Sequence, residues 1–221
     1  MFEFIQHNQP MIEAANAVSS VINIVGWTIG FVVLWYAWRR NSISSVSVGP
    51  ISFQMEKAAM QAAKKAALDW QGHDPSQPLD MQRLRQTVHK AFTPDVVENL
   101  IGKSILWVDD NPRNNLLAVR AMRRLQLDIE QVASTEAAIA AMEVSRYDLV
   151  ISDMGRGANM RAGYELLDII RKRGSNVPFL IFAGDDKPEF RREAKQRGAQ
   201  LSTNDMLELM DCTIHFLNQQ G

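Results

Sequence analysis

The chain has 221 residues, 46% of them apolar, and 24 Lys and Arg against 25 Asp and Glu give a formal net charge of -1. That size and apolar content exclude compositional disorder and allow one ordinary domain with an appendage, while the balanced charge gives no global reason to expect nucleic-acid binding. Cys212 is alone, which excludes an internal disulfide framework and is compatible with a reducing compartment.

In chain order, residues 1–17 read as a short extracytoplasmic segment. No charge occurs between Glu13 and Arg39, and residues 18–38 are dominated by Val, Ile, Phe, Leu and Trp. A helix of roughly 20 such residues crosses a bilayer. Trp35, Tyr36 and Trp38 at one end suit an interfacial aromatic belt, and Arg39-Arg40 beyond them place the remainder in the cytoplasm and the N-terminus outside. A cleaved signal peptide fits less well, because Glu3 and Glu13 precede the apolar run with no Lys or Arg, and no small-residue cleavage site follows it. The expectation is a single-pass anchor in the cytoplasmic (inner) membrane. Gly26 and Gly30 have the spacing that lets two helices approach closely, so a homodimer through this face is allowed.

Residues 39–103 read as a linker with two or three helices. Residues 41–52 are serine-rich and interrupted by Gly49-Pro50, which suggests an extended stretch. Residues 53–71 suggest a helix rich in Ala and Met, with Lys57, Lys64 and Lys65 outward, and residues 81–91 a second one. Thr93-Pro94-Asp95 is a good start for a third, with Thr93 as cap.

From residue 104 to 221, short apolar runs alternate with amphipathic stretches, the pattern of a parallel sheet covered by helices. Strands are expected at 105–108, 129–133, 149–152 and 179–182, with a weak fifth near 199–201. Helices are expected to open at Asn111-Pro112, Ser134-Thr135-Glu136, near Gly163, at Asp186-Lys187-Pro188 and at Thr203-Asn204-Asp205. Asp109 and Asp110 end the first strand and Asp153 follows the third. Ligands of open α/β sheets bind beyond the carboxyl ends of the strands, so three carboxylates there suit a magnesium pocket or a phosphorylation site. A plainer reading makes Asp109 or Asp110 a helix cap and Asp153 a loop acid.

Five pieces in order, Ile-Leu-Trp-Val-Asp109-Asp110-Asn-Pro, Ser-Thr-Glu-Ala, Tyr-Asp-Leu-Val-Ile-Ser-Asp153-Met, Gly163-Tyr-Glu-Leu-Leu and Val-Pro178-Phe-Leu-Ile-Phe, make residues 104–220 resemble the receiver domain of bacterial response regulators. The resemblance implies a doubly wound, five-stranded parallel sheet in flavodoxin-like order 2-1-3-4-5. It implies that Asp109, Asp110 and Asp153 hold Mg2+ together with the backbone carbonyl of Gly155, and that Asp153 is the phosphoacceptor.

Two positions depart from the family. Where it carries Ser or Thr after the fourth strand, this chain has Ala183, and where it carries lysine after the fifth, the chain runs Ser202-Thr203-Asn204-Asp205, with no lysine beyond Lys195. Arg156, three residues after Asp153, is a candidate phosphate contact in compensation, against a plain solvent-facing role. The leading expectation is a membrane-anchored, degenerate receiver-like module of two-component signalling. It is not an enzyme, its metal pocket is retained, its phosphorylation is impaired or atypical, and it acts on a protein partner such as a histidine kinase or a membrane effector. The alternatives are a conventional phospho-switch at Asp153, an anionic-ligand sensor controlling a membrane effector, and a metal-dependent phosphoesterase.

Overall fold

The computed structural model describes residues 49–219 other than 71–75, 77 and 185–186. The expected membrane span at 18–38, with Gly26 and Gly30, lies outside the described residues. Among the described residues no helix is long and apolar enough to cross a membrane.

Three helices come first: α1 (Gly49–Asp69), α2 (Met81–Ala91) and α3 (Pro94–Leu100). The α/β part follows as β1 (Ser104–Val108), α4 (Leu116–Arg123), β2 (Asp128–Val132), α5 (Thr135–Val144), β3 (Leu149–Ser152), α6 (Ala162–Lys172), β4 (Phe179–Phe182), α7 (Pro188–Gln196), β5 (Leu201–Thr203) and α8 (Met206–Asn218). The strands form one sheet in the order β2-β1-β3-β4-β5, every pairing parallel, as expected.

Successive strand residues point to opposite faces, and here both faces are covered. Ile105, Trp107, Leu149, Ile151, Leu180 and Phe182 pack with α1–α4 and α8, while Leu106, Val108, Val150, Phe179 and Ile181 pack with α5–α7. This two-sided burial explains why the central strands β1, β3 and β4 read as nearly unbroken apolar runs, whereas the edge strand β2 alternates.

The first face carries more than a receiver-like sheet requires. Ala59, Ala63, Ala66 and Ala67 of α1 are buried together with Leu84, Val88 and Leu100 and with Leu209, Met210, Ile214 and Leu217 of α8. Each leucine so buried contributes about 1.5–3 kcal/mol. Lys57, Lys64 and Lys65 face outward, as their spacing suggested. Polar pairs fix the docking: Arg83 bonds Asp205 at 2.6 Å, Lys90 bonds Asp211 at 3.4 Å, and Asn99 bonds Asn218 at 3.0 Å. At the end of α1, Trp70 stacks on Phe182 with ring centroids 4.1 Å apart and donates its indole N–H to the Asn204 carbonyl at 2.7 Å.

Several boundaries and one cap differ from expectation, β2 among them at Asp128–Val132 rather than 129–133. Helix α1 begins at Gly49 rather than in the fifties, since proline at position 50 needs no hydrogen-bonded N–H in a first turn. Thr93 stands at the cap of α3, but its hydroxyl donates to the Lys90 carbonyl at 2.8 Å and caps nothing. Helix α4 starts at Leu116, not at Asn111-Pro112, because the Asn111 N–H is held by the Asp109 carboxylate at 2.6 Å and residues 112–115 turn around it. Strand β5 starts at Leu201, not at 199. The closing turn of α7 uses Ala199, whose N–H bonds the Ala194 carbonyl at 2.9 Å, and Gln200 pairs with Phe179.

Candidate functional site

The meeting of the acids is a consequence of register. Val108 pairs with Ser152, so the next residue on each strand, Asp109 and Asp153, leaves the sheet at the same level. Their backbones stay tied to it: the Asp153 N–H bonds the Val108 carbonyl and the Asp109 N–H bonds the Val132 carbonyl, each at 2.9 Å. Asp109, Asp110 and Asp153 each bring a carboxylate oxygen within 4.8 Å of the others.

The three are not equivalent. Asp109 is buried, and its carboxylate accepts from the Asn111 N–H and from the Asn115 amide. Asp110 is exposed and accepts from the Gly157 N–H at 2.6 Å, which joins it to the β3–α6 loop. Asp153 is half-buried and accepts from the Met154 N–H at 2.7 Å. Burial and the neighbouring Asp109 charge push the Asp153 carboxyl up to about 6, despite the Met154 N–H and the Arg156 charge, which pull the other way. Asp109 is also raised, by burial first, against the lowering effect of its two hydrogen bonds. Crowded carboxylates without a cation behave in this way. The donor set is all oxygen, which suits a hard divalent ion such as Mg2+.

Gly155 borders the same cleft as Asp153, on the loop between β3 and α6. Gly163, at the start of α6, comes so close that a Cβ there would lie 2.7 Å from the Asp153 carbonyl oxygen, and its own N–H bonds the Met154 carbonyl at 2.9 Å. Only glycine lets the helix start press on the Asp153 backbone.

Arg156 does not lie in solvent. It is 7% exposed, and its guanidinium donates to the Ser152 hydroxyl at 2.7 Å, the Asp153 carbonyl at 2.9 Å, and the Thr135 hydroxyl and Ala162 carbonyl at 2.8 Å each. Four of its five N–H groups are therefore engaged by the protein, so the candidate phosphate contact is already in use as a clamp on the β3–α6 loop.

Ala183 follows β4, is 6% exposed, and bonds the Thr203 carbonyl through its N–H at 3.0 Å. It lines a cavity of about 590 Å³ with Asp153, Met154, Tyr164, Phe190 and Ser202. Ala183, expected at the switch position, therefore borders the same cavity as Asp153. Among Ser202-Thr203-Asn204-Asp205, Thr203 bonds Glu208, Asn204 holds Trp70 through its carbonyl, and Asp205 caps α8 by accepting from the Leu207 and Glu208 N–H groups at 2.7 and 3.2 Å.

Sequence reading missed Asn115, Ser152 and Thr135. Ser152 precedes the acceptor directly and Thr135 begins a helix, but nothing local marks either as an acceptor for Arg156. Asn115 is 1% exposed, and its amide oxygen has no partner while its nitrogen holds Asp109.

Residues 105–202 match the family model of the response regulator receiver domain. The chain is 35% identical over 75 residues to the Sensor protein EvgS of Escherichia coli K12, an alignment covering 34% of this chain and 6% of that protein's length. Among solved structures it is similar to the receiver domain of a Francisella response regulator (19% identity, 54% of this chain and 98% of that one, TM-score 0.48). It is also similar to the response regulator TrrA of Thermotoga maritima, solved in complex with Mg(2+)-BeF (22% identity, 52% and 98% coverage, TM-score 0.45).

Proposed function

From a response regulator receiver domain at residues 105–202, we propose a membrane-anchored signalling module whose metal pocket is kept and whose response to phosphorylation is impaired. The observation that carries this reading is the asymmetry of the site. Three carboxylates converge at the ends of β1 and β3, whereas position 183 brings a methyl group in place of a hydroxyl and residues 202–205 bring no cation to the phosphoryl side. Asp109, Asp110 and Asp153 would hold Mg2+, with Gly155 as the further ligand, and the bound ion would neutralise charge around an incoming phosphoryl group. Asn115 and the Asn111 N–H orient Asp109, and the Gly157 N–H orients Asp110. No group beside Ala183 then reports what happens at Asp153.

Output through protein contacts follows from the way α1–α3 pack on α8, which links the receiver domain to the segment before it. The partner on this reading is a histidine kinase or a membrane effector, and the anchor is the apolar stretch at 18–38 in the cytoplasmic membrane. Carbonate extraction of membranes tests the anchor: release of the chain into the supernatant removes it.

The site is tested by calorimetry with Mg2+ and by 19F NMR with beryllofluoride on the chain in detergent. Expected are saturable Mg2+ binding that Asp109→Asn abolishes, and weak or no beryllofluoride uptake. Absence of Mg2+ binding overturns the metal pocket. Tight beryllofluoride uptake lost in Asp153→Asn favours the second reading, a conventional phospho-switch, for which the open cavity beside Asp153 leaves room.

A further inference from the structure

Arg156 is a buried charge bonded to nothing charged. Its four hydrogen bonds go to two hydroxyls and two backbone carbonyls. Taking a guanidinium out of water costs several kcal/mol unless opposite charge is close. The carboxylates of Asp153, Asp110 and Asp109, with Glu136 at the start of α5 beyond them, supply it: burial lowers the proton affinity of Arg156, and each of these acids raises it again. Three carboxylates and one guanidinium sum to a charge of -2, which one divalent cation cancels.

We propose that Arg156 is a positioning residue and the fixed counter-cation of the acid pocket, clamping the Asp153 backbone while reducing the pocket's negative charge to what one divalent ion balances. This rests on the three acids being a metal pocket. A lysine such as the family carries pairs directly with phosphoryl oxygens. Arg156 cannot do so without leaving its acceptors on β3, α5 and α6, so it acts through its charge and through the loop it holds.

The two roles can be separated because they respond differently to substitution. Removing the charge strengthens cation binding, whereas loosening the clamp can only weaken it. Arg156→Gln removes the charge, and Arg156→Lys keeps the charge but cannot span four acceptors. Mg2+ affinity is measured by calorimetry on the whole chain in detergent, and melting temperature by circular dichroism in the absence of metal. Arg156→Gln should bind Mg2+ about three- to tenfold more tightly than the unaltered chain, the size expected from deleting a unit charge a few ångströms from a divalent ion at a high effective dielectric. Arg156→Lys should stay within about threefold of the unaltered chain, and both variants should melt several degrees lower.

If Arg156→Gln binds Mg2+ no more tightly than the unaltered chain, the counter-cation role is overturned. If Arg156→Lys melts like the unaltered chain, the clamp is overturned. Should the unaltered chain itself take up no Mg2+, the metal reading fails and this one falls with it. That outcome is distinct from a metal-binding chain indifferent to Arg156, which removes only the role of the arginine.

Discussion

At the ends of β1 and β3, three carboxylates lie within 4.8 Å of one another and each is oriented by a backbone or side-chain donor. At the ends of β4 and β5 stand Ala183, Ser202 and Asn204, and the indole of Trp70, just beyond α1, stacks on Phe182 and bonds the Asn204 carbonyl. One half of the edge gathers carboxylates, and the other carries an aromatic stack and a hydrogen bond to the segment that follows α1. The difference teaches that one sheet end does two things: β1 and β3, paired at the centre of the sheet, carry the acids, while β4 and β5 anchor the residue that ends α1.

The largest expected effect breaks the packed half. Trp70→Ala removes the stack on Phe182 and the hydrogen bond to Asn204, and should cost about 3–4 kcal/mol in urea unfolding. A loss below about 1 kcal/mol would show that α1 does not hold the β4–β5 edge.

The next effect sharpens the acid half. The Asp153 carboxyl is raised from 3.8 to about 6 in the folded chain. Below 3.8 the group is protonated in both states and costs nothing; as pH rises through 6 the folded state must ionise it, and stability falls. The difference of about 2.2 units corresponds to at most about 3 kcal/mol above pH 6 in metal-free protein, and solvent reaching the half-buried group reduces this. Asp153→Asn should therefore stabilise the metal-free chain at pH 8 and flatten its stability between pH 4 and 6. A destabilised variant at pH 8 would contradict the crowding of the acids.

Gly163→Ala tests whether α6 presses on the acceptor. Its Cβ would meet the Asp153 carbonyl at 2.7 Å, so a destabilisation of about 2 kcal/mol and weaker Mg2+ binding are expected. Unchanged calorimetric and unfolding curves would rule out the close approach. The smallest effect is that of Ala183→Thr, which returns a hydroxyl to the cavity wall. Stability should change by less than about 1 kcal/mol, and beryllofluoride uptake should improve if the hydroxyl is what the site lacks.

Much of the sheet was legible because its strands are buried on both faces and bounded by turn residues, so the third and fourth came out to the residue. Helix starts were legible where a side chain caps, as at Ser134 and Asp205, and misleading where a tertiary contact won. Asn111-Pro112 looks like a helix start, but the Asp109 carboxylate captures the Asn111 N–H and delays the helix to Leu116. The acids and Ala183 were readable from position alone. Arg156 was not, because its acceptors, Thr135 and Ala162, come from elements 21 and 6 residues away. Nor could any local pattern show that α2 and α3 would find α8, a contact between segments far apart in the chain.

The indole of Trp70 also has a mechanical consequence. Helix α1 ends on a ring pair and one hydrogen bond to the ends of β4 and β5. A pull along α1 therefore reaches that edge of the sheet through the Trp70 ring as well as through the buried alanines, and the ring is itself a fluorophore. The protein carries its own strain gauge at the joint.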